Sequence, residues 1–323
     1  MTQTPPRDEP ALSVILTTDR RETIRGVLRR LQQQTAQARM EIIMVVPRGQ
    51  GASFGEGDAR GFADFRIIEM DNFQPLWKAR GAGVRAATAP LVFMGETHAF
   101  PHPQWAEALI AANQRGNWGA ISPAFGNANP RGALSWAAFI ADYGPWIDGM
   151  PAGEIDAAPL FNSAYSKSAL LELGDRLDPA MAQGDELPAT LRSRGYRAYF
   201  AAEARIDHVN VTQPKAWLRE IFFTGRVIGG LRARRWSRLQ RVAYVVGSPL
   251  IPFVLSYRLF VRLRSVPGTR LAPAGTFPLI FLGNIIRAAG EMVGYAAGVR
   301  TAHELLAEEY ELHKMAYAGR REA

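Results

Sequence analysis

The sequence predicts an α/β fold with a mostly parallel central sheet and flanking helices, followed by a C-terminal helical region that associates with membranes. Three observations predict this architecture. Short apolar runs alternate with helix-like stretches over the first part of the chain, which is typical of strand–helix–strand units with right-handed crossovers. A hydrophobic share of 47% over 323 residues is enough to bury a sizeable core. Near the C-terminus, arginines flank two uncharged apolar stretches.

The individual elements follow from the spacing of apolar side chains. Residues 41–46 read EIIMVV, in which five consecutive apolar residues follow Glu41 and are stopped by Pro47, which is typical of a buried strand. In residues 23–34 apolar side chains recur every three or four positions, which is typical of a helix. The predicted strands are residues 12–16, 41–46, 66–70, 91–94 and 196–201. The predicted helices are residues 23–34, 77–87, 166–173 and 185–194.

Charge is concentrated near the C-terminus. The chain has 38 Lys and Arg against 30 Asp and Glu, a formal net charge of +8. Residues 205–270 hold thirteen basic and two acidic residues, so the remainder is mildly acidic. Few aromatic residues lie among these arginines and no nucleic-acid-binding module accompanies them, so we expect no nucleic-acid partner. The absence of cysteine excludes disulfides, thiolate metal sites and a cysteine nucleophile.

The two apolar stretches, residues 242–257 and 271–286, predict contact with a membrane. Each has 16 uncharged residues, fewer than the roughly 20 that a spanning helix needs, and each contains Gly and Pro. We expect helices that lie in the membrane interface or dip into it, with arginines facing anionic headgroups. The alternative is a pair of buried helices in a soluble domain.

Ligands of open α/β sheets bind at the carboxyl ends of the strands. One such end is the loop that holds Thr17 and Asp19, which are candidates for contacting a bound cofactor. The run GAGVRA, with Gly81 and Gly83, has the spacing of a dinucleotide fingerprint, but it follows WKAR instead of a strand. This context predicts the middle of a helix, so the fingerprint is rejected.

Glu96 and His98 are the sharpest local feature, because they follow the predicted strand 91–94 two residues apart. In extended backbone their side chains share one face, so a carboxylate and an imidazole can bind a divalent cation together. The alternative is a surface turn in which both side chains are solvated. His102 lies nearby in a Pro-flanked turn, and we expect it to be structural.

Two further candidates come from the later part of the chain. Asp185 and Glu186 begin a predicted helix, where acidic side chains suit the helix dipole. The functional interpretation is a general base aimed at the site. His208 follows the predicted strand 196–201 and is a candidate metal ligand or phosphate contact. A structural role for this histidine is the alternative.

The order of these features resembles that of the family-two glycosyltransferases, which use the nucleotide-sugar-binding A-type fold. LSVILTTDRRETIRGVLRRLQQQT followed by MEIIMVV is similar to the family's opening strand, nucleotide loop, helix and second strand. KARGAGVRAATAPLVFMGETHAFPHPQW is similar to the segment with the family's DxD motif, and FNSAYSKSALLELGDRLDPAMAQGDELPATLRSRGYRAYFAAEARIDH resembles the acceptor-side half. The resemblance extends from Leu12 to His208.

This resemblance implies roles for the candidate residues. Glu96 and His98 would replace the DxD carboxylates that bind Mg²⁺ or Mn²⁺, and His208 would be a phosphate or metal contact. Asp185 or Glu186 would be the catalytic base, although the family's pair has the opposite order. Thr17, Asp19 and Arg80 would contact the nucleotide sugar, and Asn162 and Arg80 would line the cleft. The sequence lacks the family's acidic residue after the second strand, since Val46, Pro47 and Arg48 occupy that place.

Together these observations predict an inverting glycosyltransferase that moves a sugar from a nucleotide-diphosphate donor to a lipid-linked or polysaccharide-precursor acceptor. Residues 1–215 would be the catalytic domain and residues 216–323 the membrane-associating region. The polar N-terminus contains no export signal, so we expect the enzyme on the cytoplasmic face of the membrane, peripheral or monotopic. The alternative function is a catalytically inactive, glycosyltransferase-like scaffold or sugar-binding protein at the membrane.

Overall fold

The computed structural model describes residues 9–182, 186–264 and 266–319. The strands are β1 (Leu12–Thr17), β2 (Met40–Pro47), β3 (Asp64–Met70), β4 (Leu91–Gly95), β5 (Ala99–Pro101), β6 (Trp118–Asn127), β7 (Gly153–Ile155), β8 (Ser163–Ser166) and β9 (Arg197–His208). The helices are α1 (Arg21–Leu31), α2 (Glu56–Ala59), α3 (Leu76–Ala86), α4 (Trp105–Gln114), α5 (Ala133–Tyr143), α6 (Lys167–Leu171), α7 (Leu177–Ala180), α8 (Glu186–Ser193), α9 (Pro214–Arg232), α10 (Arg238–Gly247), α11 (Ile251–Leu263), α12 (Thr276–Ala297) and α13 (Ala302–Leu305).

The chain forms two compact units. The first comprises Met1–Ala124 and Pro151–Asp207, and the second comprises Phe125–Met150 and His208–Ala323. The second unit therefore combines α5 with the C-terminal helices. The domain boundary that we place after residue 215 stays a prediction.

The central sheet is mixed, with strand order β3-β2-β1-β4-β8-β6-β9-β5 and with β7 paired to β9. β3, β2, β1 and β4 are parallel to one another, whereas β8 runs antiparallel to β4 and to β6. The expectation of a mostly parallel sheet is thus corrected. Asn162 has a φ of 55° and its N–H donates to the carbonyl of Met94, near the end of β4. Because β8 starts beside the point where β4 finishes, it has to run in the opposite direction.

The strands at the centre of the sheet are covered on both faces. Every residue of β1 and β4 is buried, which explains why their sequences are continuous apolar runs instead of alternating ones. α3 lies especially close to β1, since a Cβ on Gly83 would come within 2.5 Å of a methyl carbon of Ile15. Gly81 and Gly83 lie in the middle of α3, where close packing, and not a bound dinucleotide, requires them.

In the second unit, glycines bring the backbones of α9 and α12 into direct contact. A Cβ on Gly225 would lie 2.1 Å from the carbonyl oxygen of Arg287, and one on Gly229 would lie 2.3 Å from that of Glu291. The reverse holds for Gly290, whose Cβ would lie 2.1 Å from the carbonyl oxygen of Phe222. We call this contact the glycine seam. No side chain larger than hydrogen fits along it unless the helices separate.

Glu291 is buried beside the glycine seam and is surrounded by partners. Tyr295 donates its hydroxyl to the carboxylate at 2.6 Å, and Arg287 and Arg232 approach it at 3.2 and 3.6 Å. Burial, followed by the hydrogen bond to this carboxylate, raises the pKa of Tyr295. The two arginines compensate the buried negative charge, so the face of α12 that carries Glu291 packs against the protein.

The helices α10 and α11 differ from those around the glycine seam, because most of their apolar side chains are exposed. Leu239, Val246 and Tyr257 are 80%, 73% and 69% exposed. α10 and α11 are therefore not buried within this chain, and their contact with a membrane stays a prediction. By length and composition, Arg238–Leu263 and Thr276–Ala297 both pass as candidate membrane spans.

Candidate metal and catalytic site

Three of the predicted site residues converge in the structure. Glu96 follows the carboxyl end of β4, His98 precedes β5, and His208 is the last residue of β9. Their possible ligand atoms all lie within 4.8 Å of one another. All three side chains are buried, with exposures of 7%, 0% and 1%. The solvated surface turn considered for Glu96 and His98 is therefore wrong.

Asn162 holds the carboxylate of Glu96 in place. Its side-chain amide donates to Glu96 Oε2 at 2.5 Å, while its carbonyl oxygen accepts from the backbone N–H of Glu96 at 3.2 Å. The positive φ of Asn162 directs its side chain back toward the end of β4. His98 Nε2 lies 3.4 Å from the same Glu96 oxygen, and its Nδ1 lies 3.3 Å from the hydroxyl of Thr97.

A network of asparagines determines the tautomer of His208. The backbone N–H of Asn210 donates to Asn129 Oδ1 at 2.9 Å, and Asn129 Nδ2 donates to the backbone carbonyl of Asn210 at 2.7 Å. Backbone groups cannot exchange these roles, so the orientation of the Asn129 amide is set.

The orientation of Asn210 follows from the same reasoning. Asn210 Nδ2 donates to the backbone carbonyl of His208 at 3.1 Å and to Asn127 Oδ1 at 2.9 Å. Its Oδ1 therefore faces His208 Nδ1 at 2.9 Å as an acceptor, and that nitrogen carries the proton. In the neutral imidazole the lone pair then lies on Nε2, which is the arrangement of a metal-binding histidine with a second hydrogen-bond partner. The ring of Tyr143 packs against the imidazole with the centroids 4.6 Å apart.

This donor set fits a divalent metal ion. One carboxylate and two imidazoles form a common set of protein ligands for Zn²⁺, Mn²⁺ and Fe²⁺. The supporting hydrogen bonds from Asn162 and Asn210 are those expected around metal ligands. Mg²⁺ prefers oxygen ligands, so two imidazoles suit it less well.

The residues expected to contact a nucleotide lie on neighbouring elements of the first unit. Thr17 ends β1 and is buried, whereas Asp19 pairs with Arg20 at 3.3 Å and accepts from the hydroxyl of Thr23 at 3.2 Å. Arg80 is buried on α3, with its guanidinium 3.7 Å from the ring centre of Phe161. Phe161 directly precedes Asn162 in the sequence. The ring that Arg80 contacts is therefore next to the residue that holds Glu96.

The structure describes one of the two candidate bases, Glu186. Asp185 lies outside the described residues. Glu186 is the first residue of α8 and is half-buried. An acidic side chain at this position interacts favourably with the helix dipole, whatever its other role. His102 Nε2 lies 3.1 Å from a carboxylate oxygen of Asp207 on the surface, and the structural role expected for His102 stays a prediction.

Sequence reasoning missed Asn210. A usable signal was its position two residues after His208, since alternate residues in extended backbone point to the same side. The orientation of its amide depends on Asn127 and Asn129, which lie some eighty residues earlier, so the network itself leaves no mark in the local sequence.

No family model and no curated protein matches the sequence. Among solved structures, S. aureus TarS, a glycosyltransferase, is similar at 14% identity and a TM-score of 0.47, covering 91% of this chain and 55% of that one. TarS 1-349 is similar at 14% identity both alone and in complex with UDP, with TM-scores of 0.48 and 0.47, covering 89% of this chain and 91% of that one. At this identity and these TM-scores the likeness does not establish a function for this chain.

Proposed function

We propose that the chain is an inverting glycosyltransferase that transfers a sugar from a nucleotide-diphosphate donor to an acceptor hydroxyl. One observation carries the proposal. Glu96, His98 and His208 converge beside the carboxyl end of β4, where sheets of this class bind their ligands. A buried carboxylate–imidazole group at that place is suited to binding a metal together with a diphosphate.

The chemistry of the proposed step divides between the metal and the side chains. Glu96, His98 and His208 would hold a metal whose positive charge would stabilise the negative charge on the leaving nucleotide diphosphate. Glu186, or Asp185, accepts the proton of the acceptor hydroxyl. The acceptor oxygen forms its bond to the anomeric carbon from the face opposite the departing diphosphate, which leaves with the electron pair. Configuration at the anomeric carbon is thereby inverted.

The remaining side chains of the proposed site bind the donor. Thr17, which ends β1, and Asp19, two residues later, would hydrogen-bond the nucleoside. Arg80 supplies a positive charge for the diphosphate, and its stacking on Phe161 fixes the position of the guanidinium. Asn162 keeps the Glu96 carboxylate turned toward the two imidazoles.

We propose a lipid-linked or polysaccharide-precursor acceptor and a location at the cytoplasmic face of a membrane, because the exposed apolar side chains of the C-terminal helices would bring the enzyme to a membrane surface.

A catalytically inactive scaffold or sugar-binding protein is the second candidate. The near-complete burial of Glu96, His98 and His208 favours it, because a diphosphate has to reach the metal for catalysis. Binding and turnover distinguish the two candidates.

The test is thermal unfolding of the detergent-solubilised protein with nucleotide diphosphates, with and without Mn²⁺. Ligands that bind the folded state raise the midpoint by mass action. We expect a shift with one nucleotide that requires Mn²⁺, is smaller with Mg²⁺ and is lost in Glu96→Gln. A nucleotide shift that is independent of metal would retire the metal site. No shift with any nucleotide would favour the inactive scaffold.

A further inference from the structure

The exposed apolar side chains of this protein are concentrated on three consecutive helices. Among the described residues, every strongly exposed large hydrophobic side chain except Ile67 and Leu171 lies between Leu239 and Met292. These side chains belong to α10, α11, α12 and the segments that join them, and we call them the apolar face. Soluble proteins seldom expose so many large hydrophobic side chains together, so the apolar face is expected to have an occupant.

The charge around the apolar face indicates what that occupant is. Residues 221–290 contain eleven arginines and no Asp, Glu, Lys or His. Arg238, Arg258, Arg262, Arg264 and Arg270 are exposed. A surface that is both apolar and strongly positive complements a bilayer with anionic headgroups, because acyl chains and phosphates are presented together there. A cationic surface would repel a second copy of itself.

The pattern along α11 shows how the helix would lie. At 100° per residue, the exposed side chains of Leu250, Phe253, Tyr257 and Phe260 fall within one stripe of the helix surface. Pro252 and Leu263 are buried and lie on a different side, so the helix contacts the protein with one face and presents another. The exposed guanidinium groups of Arg258 and Arg262 lie along one edge of the stripe. This is the arrangement of a helix in the plane of a membrane, whose arginines extend to the phosphates.

Each candidate span is long enough as a helix, but its uncharged part is shorter than the hydrocarbon core of a bilayer. The uncharged part of α10 and α11 covers residues 242–257, a length of roughly 24 Å as a helix, against about 30 Å of hydrocarbon. In α12 the uncharged part ends at Ile286, and the rest packs on α9 along the glycine seam with Glu291 buried. The exposed part of α12 is therefore shorter than that of α10 and α11.

We infer that α10, α11 and the first half of α12 bind the surface of an anionic bilayer, with the apolar face inserted into one leaflet and the arginines on lipid phosphates, without crossing the membrane. This inference deepens the membrane location given under the proposed function, yet it does not require catalysis. It is tested by lipid binding alone, whereas the nucleotide experiment tests the transferase.

The first experiment measures binding of the full-length protein to vesicles by flotation. We expect binding to vesicles of phosphatidylcholine and phosphatidylglycerol that is at least about tenfold tighter than to phosphatidylcholine alone and that weakens at high salt. Equal binding to both vesicles, or binding to neither, would overturn the inference.

Matched double variants separate the two contributions to binding. Arg258→Gln/Arg262→Gln should weaken binding to the anionic vesicles by about tenfold, whereas Arg29→Gln/Arg30→Gln on exposed positions of α1 removes the same charge and should leave it unchanged. Leu250→Ser/Tyr257→Ser should weaken binding to a similar extent, with Ile67→Ser/Leu171→Ser as its control. If each control weakened binding as much as its partner, the apolar face would not be the binding surface.

The depth of insertion and the rival occupant are tested with a fluorophore. Because the chain has no cysteine, Leu250→Cys and Phe260→Cys each give a single attachment site. Quenching by lipids brominated near the headgroup should exceed quenching by lipids brominated at the chain ends. The opposite order would show a spanning helix. The rival occupant of the apolar face is a second copy of the chain. That occupant would be shown by a parent protein that is dimeric without lipid, becomes monomeric in Leu250→Ser/Tyr257→Ser, and does not bind vesicles.

Discussion

Two buried carboxylates in the central sheet have opposite surroundings. Glu41 is the second residue of β2, near the amino ends of the parallel strands, and Glu96 follows the carboxyl end of β4. Glu41 is fully buried and accepts hydrogen bonds from the hydroxyl of Ser13, the backbone N–H groups of Thr88 and Ala89, and the guanidinium of Arg66. Glu96 is nearly as buried and faces the amide of Asn162 and two imidazoles.

The difference between the two carboxylates is one of donors and acceptors. The groups around Glu41 include backbone N–H and guanidinium, which can only donate, so the negative charge is compensated by the protein itself. The imidazoles around Glu96 have lone pairs of their own, and His208 is oriented to present one. A cation bound there would be coordinated by all three side chains. Burial alone therefore does not mark a functional carboxylate, whereas the chemistry of its neighbours does.

Variants of the proposed site should show the greatest loss of turnover. Glu96→Gln and Glu186→Gln should each lower the rate by about three orders of magnitude, because one weakens the metal site and the other removes the base. The free energy of unfolding should change by no more than about 1 kcal/mol. Steady-state transfer and urea unfolding measure the two quantities, with Glu203→Gln, an exposed position on β9, as control. Full activity in both variants would show that the site is misassigned.

For Glu41 the expected effect is on stability, and not on turnover. Glu41→Gln should lower the free energy of unfolding by about 3 kcal/mol, because it leaves the Arg66 guanidinium and several buried donors without their anion. Transfer activity per folded molecule should remain. If urea unfolding showed the same stability for Glu41→Gln and the parent, the donor-rich surroundings would not be stabilising.

The third effect concerns the tautomer of His208. Asn210→Leu removes the acceptor of the Nδ1 proton and should weaken Mn²⁺ binding about 10- to 100-fold. Asn210→Asp keeps an acceptor in the same place and should bind Mn²⁺ more tightly than Asn210→Leu. Titration calorimetry with the metal alone measures both. Equal losses in the two variants would contradict a role for the acceptor oxygen.

The smallest effect is a dependence of stability on acid. Burial tends to raise the pKa of Glu41, but its hydrogen bonds from Ser13, Thr88 and Ala89 outweigh burial and hold the pKa below the ordinary 4.5. A lowered pKa in the folded state means that the stabilisation is present above pH 4.5 and is lost as the pH falls through the folded-state value. The parent protein should therefore lose more stability in acid than Glu41→Gln does. Parallel curves for urea unfolding against pH would contradict this.

The elements that the sequence predicted best are those with one clear period or one unbroken apolar run. The strands β1, β2 and β4 and the helix α1 lie within a few residues of their expected positions, because burial on both faces or on one stripe decides their composition. By contrast, β6 contains Pro123 and two glycines, and α5 is buried around most of its surface, so neither shows a regular period. These elements were not identified.

The candidate site was partly predictable for a related reason. The pair Glu96 and His98 could be found because both residues follow one strand. Asn162 holds Glu96 through a left-handed backbone turn that brings β8 in antiparallel, and the mixed sheet was not foreseen. Contacts between residues far apart in sequence depend on the order of strands in the sheet, which local periodicity does not encode.

The glycine seam between α9 and α12 has a consequence for how this unit tolerates change. At Gly225, Gly229 and Gly290 even a methyl group would meet a backbone oxygen, which has no alternative rotamer to adopt. A neighbouring side chain can move aside, but here both helices would have to be displaced as rigid bodies. In a saturation mutagenesis scan, no replacement should therefore be tolerated at these three glycines. Residues of the apolar face should accept a broad set of hydrophobic replacements.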